Sequence, residues 1–337
     1  MAALAPPVAA VRVAVRRSLA GLPAGGTVLV ACSGGADSLA LAAATVFVAP
    51  RLGLRPGLVT VDHGLQPGSA ERAAEVAKWA TGAGLDPVEA VPVTVAGRPG
   101  GPEAAAREAR YQALVAAARE HRAVALLTGH TRDDQAETVL LALARGAGPR
   151  GLAGMPERRE LSGVPLLRPL LDVGREQTRA ACAALGLVPW DDPHNADPAY
   201  TRSRVRHDLL PQLARVLGPG VVANLARTAR LVAADTAALD ELAATALATA
   251  RADGGGLSVV ALAELPPAVR TRVLHAWARE LGAPPAALSH RHVGALDALV
   301  TDWHGQGAVH LPGGLRVARR TGCLSVARGA DAGADPA

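Results

Sequence analysis

Two short stretches hold residue types that can do chemistry. Positions 33 to 38 read Ser33, Gly34, Gly35, Ala36, Asp37, Ser38. Glycines let a backbone turn sharply and approach a ligand closely. If such a loop feeds a helix, the N–H groups of the first turn and the two serine hydroxyls converge on an anion, a phosphate above all. Asp37 can then hold a magnesium ion that bridges phosphates. The Gly-Lys-Ser/Thr of a Walker loop does not follow, so the cradle is of another kind. The second stretch, 128 to 138, reads Thr-Gly-His-Thr-Arg-Asp-Asp-Gln-Ala-Glu-Thr. Asp133 and Glu137 are four apart, and Asp134 and Glu137 three apart, so the acids share one side of a helix. Two readings follow. Acids in a first turn suit the helix dipole and need do nothing more. Alternatively they form a pocket for magnesium or a cationic substrate, with Asp133 the second metal candidate after Asp37. His130, at the head of the stretch, can contact a phosphate.

The elements that must position these residues alternate. Apolar runs at 27–31, 58–62, 88–93 and 124–128 read as strands, and the segments 38–48, 69–81, 103–121 and 133–145 as helices. That alternation implies βαβ units and a parallel sheet, with helices on it. Ligands bind such sheets at the carboxyl ends of the strands. The polar signatures lie there: 33–38 after the first strand, Asp62-His63-Gly64 after the second, Gly129-His130 after the fourth. An amphipathic helix with Val8, Val11, Val15 and Leu19 on one face precedes them. Residues 166–171 read as an edge strand and 176–185 as a helix. Residues 202–217 read as a helix that Pro211 must kink, and 190–200 as a polar loop in which Trp190 is a core side chain. Gly218-Pro219-Gly220 is the best boundary signal. Beyond it come a long Ala-rich helix to about 252, then short helices and three strand-like runs near 308–326. The expected architecture is α/β, a Rossmann-like parallel-sheet domain over 1–217 followed by a smaller α+β domain over 218–328, with 329–337 a disordered tail.

The loop at 33–38 is similar to that of the N-type ATP pyrophosphatases, which cleave ATP between the α- and β-phosphates. The wider pattern resembles the tRNA(Ile)-lysidine synthetases. The stretch 129–138 is similar to their Gly-His-His-x-Asp-Asp-Gln-x-Glu-Thr. In order along the chain, Asp62-His63-Gly64-Leu65 is similar to Asn-His-Gly-Leu, and Glu103 to Tyr111 to Glu-x-x-Ala-Arg-x-x-Arg-Tyr. Arg145 to Met155, Arg168-Pro169-Leu170-Leu171, Trp190 to Asn195 and Tyr200 to Arg206 follow the same family pattern. The match is dense over about 26–217 and loose beyond. Three positions depart from it: Asp62, Thr131 and Ser203 stand where the family has Asn, His and Asn. None removes an acid or a loop residue.

The resemblance implies a reaction. ATP activates the wobble cytidine of an isoleucine tRNA with a CAU anticodon: the base O2 attacks the α-phosphate and pyrophosphate leaves. The ε-amine of L-lysine then attacks C2 and AMP leaves. It implies that Ser33 to Ser38 grip the nucleotide, that Asp37, His130, Asp134 and Glu137 are catalytic, and that Asp134 and Glu137 hold the lysine. It further implies that Arg107, Arg110, Asp192, Asn195, Arg202 and Arg206 face the substrates. For Arg107 and Arg110, three apart on one helix, a solvated face with a Glu103–Arg107 pair is an equal alternative.

Composition agrees without deciding. The net charge is +5, and six Arg against two Asp fall between 197 and 230, a bias that suits phosphate contacts. Aromatics are 2% of the chain, too few for recognition by extensive base stacking. Three scattered cysteines, Cys32, Cys182 and Cys323, offer no cluster or redox spacing. That weakens the alternative of a sulfur transferase on the same loop. A non-catalytic nucleotide- or tRNA-binding module is the other alternative, against which the full set of acids speaks. No apolar run has the length of a membrane span, so a cytoplasmic protein is expected. Monomer and homodimer are equally compatible with the sequence.

Overall fold

Alternate residues of the central strands pack on opposite faces, and both faces are buried. In the computed structural model, which describes residues 4–62, 64, 68–94, 102–192 and 197–326 (the side chains of 102–104 and 253 excepted), strand β1 (Thr27–Ala31) sends Val28 and Val30 to one side and Leu29 to the other. Leu58 and Val59 of β2 (Arg55–Asp62) divide the same way, as do Leu127 and Leu126 of β4 (Ala123–Thr128). A strand covered on both faces reads as a continuous apolar run, which is why these strands were legible.

The first face is covered by α1 (Pro6–Leu19), α2 (Ala36–Val48), α3 (Ser69–Gly82) and α7 (Arg175–Ala184), through side chains such as Val15, Leu41, Val76 and Ala181. The second is covered by α4 (Pro102–Glu120), whose Leu114 and Val115 lie on Leu29 and Leu126. With β3 (Val88–Pro92) and the hairpin β5 (Arg158–Leu161) and β6 (Val164–Leu167), the strand order is β3-β2-β1-β4-β6-β5. All neighbours are parallel except β5 with β6. The expected α/β parallel sheet is the fold observed. The run read as an edge strand at 166–171 is instead the interior strand β6. The edge belongs to β5, whose exposed Arg158, Arg159 and Glu160 hid it from a search for apolar runs.

The order reverses between β1 and β4. Chain segments leaving these two neighbours diverge to opposite sides, and a crevice opens at their carboxyl ends. Into it run the 33–38 loop and then α5 (Arg132–Ala144), with a one-turn α6 (Pro149–Leu152) beyond. Pro211 acts as expected, though by a subtler route than a break. Between α8 (Thr201–Arg204) and α9 (Leu210–Leu217) the chain makes one π-turn, Val205–Leu209. The missing proline N–H and its ring displace the regular ladder at this point.

The described residues form two compact units that divide after Ala233, within α10 (Val221–Ala250) and beyond the turn at Gly218. In the second unit a four-stranded antiparallel sheet runs in the order β7 (Leu257–Ser258), β10 (Cys323–Val326), β9 (Leu315–Arg320), β8 (Val309–Leu311). Helices α11 (Val259–Ala263), α12 (Pro267–Glu280) and α13 (His290–Thr301) share its core, centred on the fully buried Trp277. The expected α+β character is observed there. The tail expected at 329–337 lies outside the described residues.

The sheet's dependence on its central contacts can be measured. Leu127, fully buried near the carboxyl end of β4, should cost about 2–5 kcal/mol when replaced by Ala. Urea unfolding of Leu127→Ala checks this.

Candidate active site

The chain leaves β1 at Cys32, whose amide donates to Val59 O at 2.9 Å. It then turns through Gly34, whose φ of +82° is the left-handed conformation that only glycine adopts cheaply. A Cβ there would also meet Val76 Cγ2 at 3.0 Å. Gly35 caps α2, so the first-turn amides of Ala36, Asp37 and Ser38 point outward with no intrahelical acceptor. Ser38 is buried and holds the loop closed: its hydroxyl donates to Gly35 O at 2.9 Å and accepts from Ser33 N at 3.2 Å. Ser33 stays exposed. The loop's far side is tied down by Trp190, whose amide donates to Gly34 O at 2.9 Å while Arg72 stacks over its ring at 5.2 Å. Trp190 is therefore a wall of the crevice and not the core side chain expected of it.

A cavity of about 690 Å³ lies over this loop, lined by Ser33, Asp37, Arg110, His130, Asp134 and Arg206 among others. Gly129 lets β4 pass close behind. A Cβ on it would lie 3.1 Å from the Asp37 carbonyl and the Ser38 amide.

The acidic side chains fall into two environments. Burial pushes Asp37 up to about 6, opposed by the hydroxyl of Thr178, which donates to it, and by the more distant Arg175. Asp134 is the reverse. Burial pushes it up, yet Arg175, the Thr131 amide and Arg206 outweigh burial and hold it below the ordinary carboxylate value. One Asp134 oxygen accepts from both the amide and the hydroxyl of Thr131, at 2.8 and 2.9 Å. The other accepts from Arg175 at 3.1 Å and Arg206 at 3.0 Å. The threonine that departs from the family pattern thus serves as a working helix cap. Glu137, fully buried, takes Arg206 on both oxygens at 2.7 and 3.1 Å, Arg175 at 3.3 Å and Arg202 at 3.4 Å.

Asp133 is set apart from the other acids. Its carboxylate accepts the Arg175 amide at 2.8 Å, capping α7, and it does not line the cavity. His130 lies over the loop with Nδ1 3.0 Å from the Thr128 hydroxyl. Burial lowers it to about 4, and Arg168, Arg110 and Arg107 add to the effect against Asp134, so its imidazole is neutral at pH 7. Arg110 lines the cavity, while Arg107 is exposed; both stack on Tyr111, at 5.3 and 5.2 Å. Asp192 lines the cavity, and Asn195 lies outside the described residues. Arg202 donates to Thr138 at 2.8 Å and stands outside the cavity.

The structure brings together the loop, Asp37, His130, Asp134, Glu137 and Arg206. It adds one residue that sequence reasoning missed. Arg175 reaches Asp37 at 3.8 Å as well as Asp134 and Glu137. Nothing in its own neighbourhood, Val-Gly-Arg-Glu-Gln, marks it; only the packing of α7 against α2 brings it in.

Cys32 and Cys182 are buried, and burial raises both, Cys182 to about 11. Among the described residues no helix is long and apolar enough to cross a membrane, and no three His, Cys, Asp or Glu side chains gather as a metal site.

Comparison with known proteins places this geometry. Residues 13–213 match the PP-loop domain family and residues 257–325 the TilS substrate binding domain. The tRNA(Ile)-lysidine synthase of Salinispora tropica is 75% identical over 96% of this chain and 98% of its own length. That of Thermobifida fusca is 59% identical over 95% and 98%. Among solved structures, the U34-tRNA thiolase NcsA of Methanococcus maripaludis, with its [4Fe-4S] cluster, superposes with a TM-score of 0.54. It is 21% identical over 67% of this chain and 80% of that one, a likeness of fold.

The elevated Asp37 makes a stability prediction. Its folded value of about 6 lies above the ordinary 3.8, so the folded protein binds the extra proton between those values. Stability at this site falls as pH rises from about 4 to 6, and the full penalty persists above. In metal-free buffer, Asp37→Asn should stabilise the protein at pH 8 by about 1–3 kcal/mol and leave it nearly unchanged at pH 4. Denaturant unfolding at the two pH values checks this.

Proposed function

The chain belongs to the tRNA(Ile)-lysidine synthase family, a group of PP-loop, ligase-type enzymes, and from that premise we propose that it joins L-lysine to C2 of the wobble cytidine in the CAU-anticodon isoleucine tRNA through an adenylated base. ATP is the activating substrate. The cytidine O2 attacks the α-phosphate and pyrophosphate leaves. The lysine ε-amine then attacks C2, the C2–O2 bond breaks, and AMP carries the oxygen away.

The observation that carries this reading is one cavity with two chemically different walls. One wall is the phosphate loop, with outward first-turn amides and the Ser33 hydroxyl. Phosphoryl transfer asks for in-line positioning and charge neutralisation, which such a cradle supplies. The other wall carries Asp134, which suits an ammonium group, with Glu137 buried behind it and in contact with the same Arg175. Asp134, held ionised, is a better holder of the cation than an acceptor of its proton. His130, neutral between the walls, can exchange a hydrogen bond with a phosphate or base without adding charge.

Asp37 fits a magnesium ion. Its carboxylate is half-buried and elevated, with Arg175 the nearest cation at 3.8 Å, so a cation on it would remove a standing penalty. Mg²⁺ is commonly held by one or two carboxylates with phosphates completing its shell. When bound, it would supply charge neutralisation on the phosphates. Asp133, committed to the cap of α7, is the weaker metal candidate of the two.

Arg110 and Asp192, on the cavity wall, would meet the target nucleotide, and Arg107, exposed beside Tyr111, a phosphodiester. Arg202 and Arg206 contact carboxylates, so their part in tRNA binding would pass through the acid cluster. We assign tRNA contacts outside the anticodon to the second domain, over 218–328, which also has to exclude the methionine tRNA with the same anticodon.

The deciding experiment supplies ATP, Mg²⁺, CAU tRNA and labelled lysine. Lysine should enter the tRNA with one pyrophosphate and one AMP per lysine. Asp134→Asn should raise the KM for lysine at least tenfold and slow pyrophosphate release far less. Incorporation of sulfur or another amine in place of lysine would overturn the assignment.

A further inference from the structure

The acid cluster is already neutral before any ligand arrives. Three carboxylates, Asp37, Asp134 and Glu137, face three guanidinium groups, Arg175, Arg202 and Arg206. An ammonium group entering a cluster with no net negative charge gains little from it. For lysine to bind there, one guanidinium has to leave.

The distances distinguish the three. Arg206 grips Glu137 through two bonds at 2.7 and 3.1 Å and Asp134 at 3.0 Å, the paired geometry that makes guanidinium–carboxylate contacts strong. Arg202 is anchored to Thr138 at 2.8 Å and stands outside the cavity. Arg175 lines the cavity and makes single contacts only, at 3.1, 3.3 and 3.8 Å. It alone touches Asp37 as well as the acids of α5. Its backbone is pinned by Asp133, whose carboxylate accepts its amide at 2.8 Å. Its side chain can therefore move while α7 stays.

Resting on the lysine reading above, we propose that Arg175 is a positioning residue that occupies the lysine pocket in the nucleotide-free enzyme and is drawn out of it by the phosphates of ATP. The Arg175 terminal nitrogen lies between Asp134 Oδ1 and Glu137 Oε1. An ammonium nitrogen there takes the same two acceptors. The displaced guanidinium is left facing the phosphate loop, where the nucleotide brings several negative charges. ATP thus opens the lysine pocket, and lysine in turn tightens ATP binding by the same factor, as linkage requires. The amine site is thereby kept closed until the activating nucleotide is in place.

Calorimetry on the full-length protein tests this with lysine as titrant, in the presence and absence of α,β-methylene-ATP with Mg²⁺. In the wild type the analogue should tighten lysine binding at least tenfold. In Arg175→Ala, lysine should bind at least tenfold more tightly than in the wild type without nucleotide, and the analogue should change it less than threefold. Arg175→Gln, which keeps a hydrogen-bonding side chain without the charge, should behave the same way if the alanine variant fails to fold. A general loss of structure would weaken lysine binding, so the tightening separates displacement from damage. Wild-type binding that ignores the analogue, or variants that bind lysine no more tightly, overturn the role of Arg175 and leave the lysine reading standing. A wild type that binds no lysine in either state overturns both.

Discussion

A buried carboxylate with three guanidinium groups around it is the constraint on which the rest of the active centre depends. Glu137 is fully buried on α5, and an ion taken out of water costs several kcal/mol unless partners replace the lost hydration. Its partners come from three places in the chain: Arg175 from the start of α7, Arg202 from α8 and Arg206 from the π-turn. Those segments converge because each must deliver a cation to the same point. Removing Glu137 would leave three arginines short of an acceptor, and removing any one arginine would leave the acid short of a donor. The cluster fastens three segments across the crevice between β1 and β4.

The phosphate loop works under the opposite constraint. Glu137 is over-supplied with cations, whereas Asp37 is under-supplied: its carboxylate is elevated to about 6 with one arginine at 3.8 Å. Asp37 and Asp134, on facing elements, are tuned apart by their surroundings, the first raised and the second lowered, the arrangement expected where one site holds several charges in turn. The guanidinium groups gather on Asp134 and Glu137 of α5, and one of them reaches Asp37 of the loop. Arg175 sits between, in contact with both. The centre is balanced in total charge and unbalanced in its distribution, and a shift of the Arg175 side chain from α5 toward the loop would lessen both inequalities.

How much of this was legible in the sequence depended on whether the signal was local. The four parallel strands and the loop were readable because fully buried strands are apolar throughout and because glycine at position 34 is needed for a positive φ. The acids of α5 were readable because helical spacing alone puts them on one side. The hairpin strand β5 was not, since an exposed edge strand made of Arg158, Arg159 and Glu160 carries no apolar period. Trp190 was misread as core because a large aromatic is usually buried, while here its backbone anchors the loop and its ring forms a wall. Arg202 and Arg206 were assigned to the substrates by the family resemblance, and their contacts with Glu137 were hidden because that acid lies more than sixty residues earlier.

Asp133 shows why spacing could not settle the division of labour among the acids. It is four residues from Glu137 and adjacent to Asp134, so a helical projection treats all three as one patch. Helical phase separates Asp133 from Asp134 by about 100°, and that rotation turns its carboxylate onto the first amide of α7. The bond fixes the backbone of Arg175, whose side chain then reaches back to Asp134 and Glu137. One acid of the patch therefore positions the cation that its two neighbours bind. The same residue type at neighbouring positions builds the frame in one case and the charged pocket in the other, and only the docking of α7 on α2 decides which is which.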